Sequence, residues 1–298
     1  MSQEAKLYSP VISTRGGKVS VTLAEDHPGF NDQEYIDHRS YIAQLSLGYV
    51  PGHPIPDVDY TKAEHELWQV TSAELRDKHK RYACGEFLQG ASLLDLPTHR
   101  LPQLNEVSGR LEQLTGFRFS PAASLVGVQE FYRSLAEPRF QATQYIRHCS
   151  KPRFSPEPDM VHDVIGHGTA LANNRLSSLY RLIGEAADRL QTQEGVDILS
   201  RIFWFTMEYG LVREGGEVRL VGASLLSSYG ELDHFHEAEI RPLDLADLVH
   251  QEYEVVNYQP VLFCADSFDH LTAFLADVLT SDEQAIIAAA GLAGPTRD

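Results

Sequence analysis

The segment Pro156-Glu-Pro-Asp-Met-Val-His162-Asp-Val-Ile-Gly-His167 constrains this chain more than any other, because it sets two histidines five residues apart. On a regular α-helix that spacing puts the side chains about 140° apart, too far round to serve one metal ion. The expectation is a helix interrupted at Gly166, since glycine can leave the helix in a left-handed or extended conformation and swing His167 back towards His162. The His-Glu-x-x-His motif of zinc proteases differs, because its four-residue spacing keeps both ligands on one face.

A third ligand stands in the apolar run Ile202-Phe-Trp204-Phe-Thr-Met-Glu208-Tyr-Gly210. A charged Glu208 there costs several kcal/mol unless it is paired or bound to a cation. Two histidines and a remote carboxylate are what a mononuclear non-haem Fe(II) centre needs, with positions left open for dioxygen and a co-substrate. Zinc with an activated water is the hydrolytic alternative, and Asp163 is then the candidate general base. Trp204 precedes Glu208 by four residues and so shares its helical face, where it can form a wall for an aromatic substrate.

The length of 298 residues and 43% hydrophobic content allow a large core, and a single domain is expected. No apolar run approaches the ~18 to 20 residues that span a bilayer, and the start has no signal-peptide core, so a soluble cytoplasmic protein is expected. The net charge of −17 is spread along the chain and repels polyanions, which argues against nucleic acid as a partner. Cys84, Cys149 and Cys264 match neither a disulfide framework nor a zinc knuckle.

Periodicity gives a mostly α protein. Helices are expected over Asp32 to Leu47, Tyr60 to Gln89, and roughly 103 to 115, 127 to 136, 158 to 165, 176 to 191, 195 to 209, 243 to 250 and 269 to 278. A small β-hairpin pairs Leu211-Val-Arg213 with Glu217-Val-Arg-Leu-Val221 across Glu-Gly-Gly, and Tyr258 to Phe263 is a further strand candidate. Residues 1 to 25 read as an N-terminal extension, weakly helical and either surface-wrapped or flexible, ahead of a catalytic domain over 26 to 298. The stretch after Thr280 is too short and interrupted for an oligomerising coiled coil.

With these residues in view, the chain resembles the pterin-dependent aromatic amino acid hydroxylases, and most of all their compact, phenylalanine-hydroxylating bacterial members. The likeness runs through Asp26-His-Pro-Gly-Phe30, Pro54-Ile-Pro56, Thr143-Gln-Tyr-Ile-Arg-His148, Ser150-Lys-Pro152, Leu225-Leu-Ser-Ser228, Gly230-Glu231 and Asp266-Ser-Phe268. It implies a mostly helical catalytic domain, Fe(II) held by His162, His167 and Glu208, tetrahydropterin as reducing co-substrate, and O2 as oxidant. It also implies a monomer acting on a free aromatic amino acid, most simply L-phenylalanine, with hydroxylation at the para or the meta position. A non-catalytic pterin- or amino-acid-binding protein is the other alternative.

Carried over by resemblance, Arg147 clamps the substrate carboxylate, Asp159 holds Arg147, Ser155 offers a hydroxyl to the same carboxylate, and Ser227 sits near substrate and metal ligands. Phe131 stacks on the pterin, the backbone at Leu125 and Val126 meets its pyrimidine edge, and Asp163 approaches it through water. Trp204 and Val255 line an apolar substrate site, since tyrosine-hydroxylating members carry aspartate where Val255 stands and tryptophan-hydroxylating members phenylalanine where Trp204 stands. Ser124, Gly168-Thr169, Phe203 and Ser224 depart from the usual pattern, and they leave the shape of the far end of the site open.

Overall fold

The computed structural model describes residues 10–253, 255 and 257–291. Its first element is not the weak helix expected but a β-hairpin, β1 (Val11–Arg15) and β2 (Lys18–Thr22), turned at Gly16 and Gly17, whose φ angles of 58° and 81° suit glycine. The alternation Val19-x-Val21-x-Leu23 carries the strand signal, and these three side chains bury against Ala43 of α1 (Gln33–Leu47). Asp32, which accepts from the Tyr35 amide, caps that helix.

Helix α2 (Lys62–Tyr82) starts in a Thr61/Glu64 capping box. The long helix expected over Tyr60 to Gln89 breaks at Ala83, which turns extended to bridge Leu220, and resumes as α3 (Gly85–Leu94). Next come α4 (Leu104–Thr115), β3 (Arg118–Pro121), α5 (Val128–Ala136) and β4 (Arg139–Ala142), with β4 pairing parallel to β3. A π-helical segment, π1 (Val161–Gly168), runs into α6 (Thr169–Leu171) and is followed by α7 (Asn174–Arg189). Helix α8 (Gln193–Phe203) likewise runs into π2 (Trp204–Glu208).

The expected hairpin forms as β5 (Leu211–Glu214) and β6 (Glu217–Leu220), and it belongs to a larger sheet. After α9 (Ala223–Ser227) and α10 (Glu231–His234), strand β7 (Glu239–Pro242), helix α11 (Leu245–His250) and strand β8 (Val261–Ala265) complete a four-stranded sheet of order β6-β5-β8-β7. Only β5 and β6 are adjacent in sequence and antiparallel; β8 joins β5 and β7 in parallel, a long-range pairing with no local signature. Helices α12 (Phe268–Thr280) and α13 (Glu283–Ala289) close the described chain. The core contains Trp68, Phe87, Phe140, Tyr180, Phe205 and Phe263, all buried, and π1 and π2 meet inside it.

Candidate metal centre

The helix that carries His162 and His167 is continuous, which corrects the expected break at Gly166. In π1 the Thr169 amide donates to the Val164 carbonyl five residues back, and this widened turn brings residues five apart onto one face. Gly166 has no positive φ. It is required for a different reason: a Cβ there would stand 2.8 Å from the Ala223 carbonyl oxygen and 3.2 Å from the Ala223 Cβ.

The Glu208 segment repeats the device. Tyr209 N donates to Trp204 O at 2.8 Å, a five-residue bond that ends π2 at Glu208. Helix α9 abuts both π segments, because its N-cap Gly222 lies so close to the Glu208 carbonyl that a Cβ would stand 2.1 Å from the oxygen.

The three predicted ligands converge. Their donor atoms all lie within 4.8 Å of one another. His162 Nε2 and His167 Nε2 are 3.0 Å apart, and Glu208 Oε1 is 3.1 Å from His167 Nε2 while Oε2 is 3.9 Å from His162 Nε2. Metal–nitrogen and metal–oxygen bonds of about 2.0–2.2 Å at right angles place neighbouring donors roughly 3 Å apart, so this separation fits one ion.

Each ligand has a hydroxyl partner. Ser227 Oγ donates to the Ala223 carbonyl at 2.8 Å, so it accepts from His162 Nδ1 at 3.1 Å and leaves the Nε2 lone pair facing the centre. His167 Nδ1 lies 2.8 Å from the Tyr180 hydroxyl, and Ser224 Oγ donates to Glu208 Oε2 at 2.8 Å. Burial and then the neighbouring His167 hold the His162 imidazole down to about 4, so it is neutral. Burial would raise the Glu208 carboxyl, but His167, His162 and the Ser224 hydroxyl outweigh it and bring it down to about 2. Neutral imidazole and an ionised carboxylate crowded in a buried site are a donor set that a cation stabilises.

The predicted Arg147–Asp159 pair lies beside the start of that helix, with Arg147 in the loop after β4 and Asp159 just ahead of π1. Arg147 Nε and Nη2 each reach Asp159 at 2.8 Å, the Arg147 amide does so as well, and Asp159 Oδ1 also accepts from the His162 amide at 3.2 Å. Both side chains are buried, and although burial opposes it, Arg147 holds the Asp159 carboxyl below its usual range. Asp159 thus fixes the guanidinium and the first ligand together. Ser155 donates its hydroxyl to the Glu157 carbonyl, so in this arrangement only its lone pairs are offered outward. Glu157 in turn pairs with the buried Arg39 of α1 at 2.7 Å.

The sequence motif of the family described as biopterin-dependent aromatic amino acid hydroxylase matches residues 12–281. The chain belongs to that family. A phenylalanine 3-hydroxylase of Streptomyces coeruleorubidus is 44% identical over 266 residues, 89% of this chain and 95% of the relative. A tyrosine 3-monooxygenase of Bos taurus is 43% identical over 257 residues, 84% of this chain, which spans about half (52%) of that longer protein. The crystal structure of Chromobacterium violaceum phenylalanine hydroxylase, with bound iron(III) and 7,8-dihydrobiopterin, superposes with a TM-score of 0.72 at 24% identity, covering 86% of this chain and 96% of the other. The family is one of biopterin-dependent monooxygenases, and this removes the ground for the hydrolytic and non-catalytic readings.

In this hydroxylase the remaining predicted residues are distributed as follows. Asp163 is buried and accepts from the Thr143 amide at 2.7 Å and the Thr143 hydroxyl at 2.8 Å, while burial pushes its carboxyl up to about 7. Phe131 is half-buried on α5, edge-on to Phe203 and Phe140. Leu125 is exposed and Val126 half-buried in the loop before α5. Trp204 is half-buried and stacks on Tyr253 at 4.4 Å, with its indole N–H donating to Gln259 at 3.2 Å; Val255 lies half-buried in that same loop. Among the described residues no helix is long and apolar enough to cross a membrane.

Sequence reasoning missed Tyr180, Thr143 and Gln259 as partners, and it took Ser224 only as a departure from pattern. Tyr180 had a faint signal: a hydroxyl on the apolar face of α7, among Leu176, Leu179 and Ile183.

Proposed function

We propose that this hydroxylase adds oxygen at the meta position of L-phenylalanine, using Fe(II), tetrahydropterin and O2. The observation that carries the reading is Asp159, which binds the Arg147 guanidinium through both oxygens and the His162 amide through one of them. An amino acid clamp in the loop after β4 and a metal ligand on π1 are thereby tied to one carboxylate. An α-carboxylate bound at Arg147 keeps its ring at a fixed distance from the metal.

Arg147 retains Nη1 for the substrate carboxylate, since Asp159 uses Nε and Nη2. His162, His167 and Glu208 hold the iron, and their hydroxyl partners keep the donor atoms aimed. Phe131 offers the pterin an aromatic face, with the backbone at Leu125 and Val126 beside the pyrimidine edge and Asp163 reaching it through water. When bound, Fe(II) would activate dioxygen and tetrahydropterin would supply the two electrons for the oxygen atom that does not enter the ring. The side chains orient the partners and exclude water, and none needs to act as acid or base on the ring.

Phenylalanine is favoured because Trp204 and Val255 offer no polar group to a ring hydroxyl, and a site without such a partner gains little from tyrosine. The meta position is favoured by the 3-hydroxylase that is similar over nearly its whole length. A Phe203 ring stands edge-on to Phe131 and near-parallel to His167, so an apolar surface backs the site at that side. Anaerobic reconstitution with Fe(II), addition of tetrahydropterin and oxygen with each aromatic amino acid, and proton NMR of the product test the reading. 3-Hydroxyphenylalanine is expected; tyrosine alone would overturn the regiochemistry, and a higher kcat/KM for tyrosine or tryptophan would overturn the substrate.

A further inference from the structure

We infer that Gln259 is a specificity-determining positioning residue: it holds the Trp204 indole by its N–H, so that Trp204 presents only apolar ring surface to the substrate. The inference rests on Trp204 lining the substrate site. Trp204 Nε1 donates to Gln259 Oε1 at 3.2 Å, and Gln259 is buried, with 4% of its surface exposed. An indole N–H can only donate, so the amide has to turn its oxygen to Trp204 and its NH2 group the other way. That NH2 group reaches the Asn257 carbonyl at 3.4 Å, and the Gln259 side chain also meets the Tyr209 hydroxyl.

The Gln259 main chain is fixed as well. Its amide donates at 2.9 Å to Oε1 of Glu231, a buried side chain at the start of α10, and Pro260 leads directly into β8. The indole itself meets Tyr253, stacked at 4.4 Å between ring centroids, and Tyr209, tilted at 4.8 Å. Ring contacts of this kind hold the plane of an indole but tolerate sliding within it. A hydrogen bond has direction, so Gln259 decides where the N–H edge points.

The consequence falls on substrate choice. Trp204 is half-buried, so part of its ring stays open. An indole N–H released towards the substrate would donate to the ring hydroxyl of tyrosine, whereas phenylalanine has no group there to accept it. By occupying that N–H, Gln259 withholds a polar group that would discriminate in favour of tyrosine. It does so through Trp204, from 55 residues along the chain.

The test compares the full chain with its Gln259→Leu, Gln259→Met and Gln259→Glu variants. Competition between tyrosine and phenylalanine in the Fe(II)-loaded enzyme reads the kcat/KM ratio. Proton–nitrogen NMR of the chain loaded with diamagnetic Zn(II) reads the indole N–H of Trp204, told from that of Trp68 by its loss in Trp204→Phe. Leu and Met should shift the Trp204 signal, speed its exchange with solvent and raise the tyrosine-to-phenylalanine ratio by about 5-fold, the worth of one net hydrogen bond. Glu, which keeps an acceptor, should hold both readouts near wild type. A ratio that stays level or falls in Leu and Met would overturn the inference, as would an unmoved Trp204 signal or a Glu variant that behaves like Leu. Trp204→Phe tests the underlying reading separately: unchanged kcat and KM for both amino acids would remove Trp204 from the substrate site, an outcome distinct from an altered Trp204→Phe beside an unaltered Gln259→Leu.

Discussion

Gly166 of π1 faces Ala223 of α9 so closely that a single added carbon would stand 2.8 Å from the Ala223 carbonyl oxygen. That carbonyl also accepts the Ser227 hydroxyl at 2.8 Å, and Ser227 in turn holds His162. Packing and ligand orientation are therefore one contact. Gly166→Ala should lower stability by about 1–3 kcal/mol through overpacking against backbone. It should also weaken Fe(II) binding by displacing Ser227. Thermal denaturation with and without Fe(II) checks both, and unchanged metal affinity would separate the packing role from the ligand.

Breaking the Arg147–Asp159 pair should be costly, because both partners are buried and the guanidinium would be left without its counter-charge. For Asp159→Asn a loss of about 3–5 kcal/mol in stability is expected, with a raised KM for phenylalanine. Arg147→Lys keeps the charge but loses the planar fork, so its effect should fall mainly on KM. Denaturant unfolding and steady-state kinetics distinguish the two variants.

The pH dependence of stability should contain a limb from Glu231. Burial, partly opposed by the Gln259 amide, pushes its carboxyl up to about 7 from an ordinary 4.5. The folded state thus keeps a proton that the unfolded chain releases, so this contribution is full below about pH 4.5 and is lost as pH rises towards 7. It amounts to on the order of 3 kcal/mol. Glu231→Gln, which keeps an acceptor for the Gln259 amide, should gain stability relative to wild type between pH 5 and pH 7, to about that extent. Urea unfolding at a series of pH values measures the difference, and parallel curves would show that Glu231 does not titrate in this window.

Substrate choice should respond to position 255. If Val255 faces the substrate ring as proposed, Val255→Asp would supply an acceptor to a ring hydroxyl, and the kcat/KM ratio of tyrosine to phenylalanine should rise by about 10-fold or more. Competition between the two amino acids in one reaction measures this. A ratio unmoved by the substitution would place Val255 away from the distal end of the ring.

Much of this was legible in the sequence. His162, His167 and Glu208 could be identified because ionisable side chains in apolar runs demand a partner, and helices α1, α4, α5, α7 and α12 follow the periodicity that announces them. The Arg147 and Asp159 pairing followed from resemblance, and the geometry bears out the pair itself. The N-terminal hairpin was misread because its short Val19-x-Val21-x-Leu23 alternation was weighed as weak helix.

What the chain determined alone was therefore the set of candidate ligands and the helical class, since both depend on local composition and spacing. How two histidines five apart come onto one face was decided by tertiary structure. The π-helical turn has no distinct local propensity, and it persists where Gly166 and Gly222 let α9 pack against both ligand segments. The hydroxyl partners belong to that same level, for Ser227 is 65 residues from His162, Ser224 16 from Glu208 and Tyr180 13 from His167. Hydrogen bonds over such separations arise only from how the helices dock, and no periodicity in the sequence encodes them.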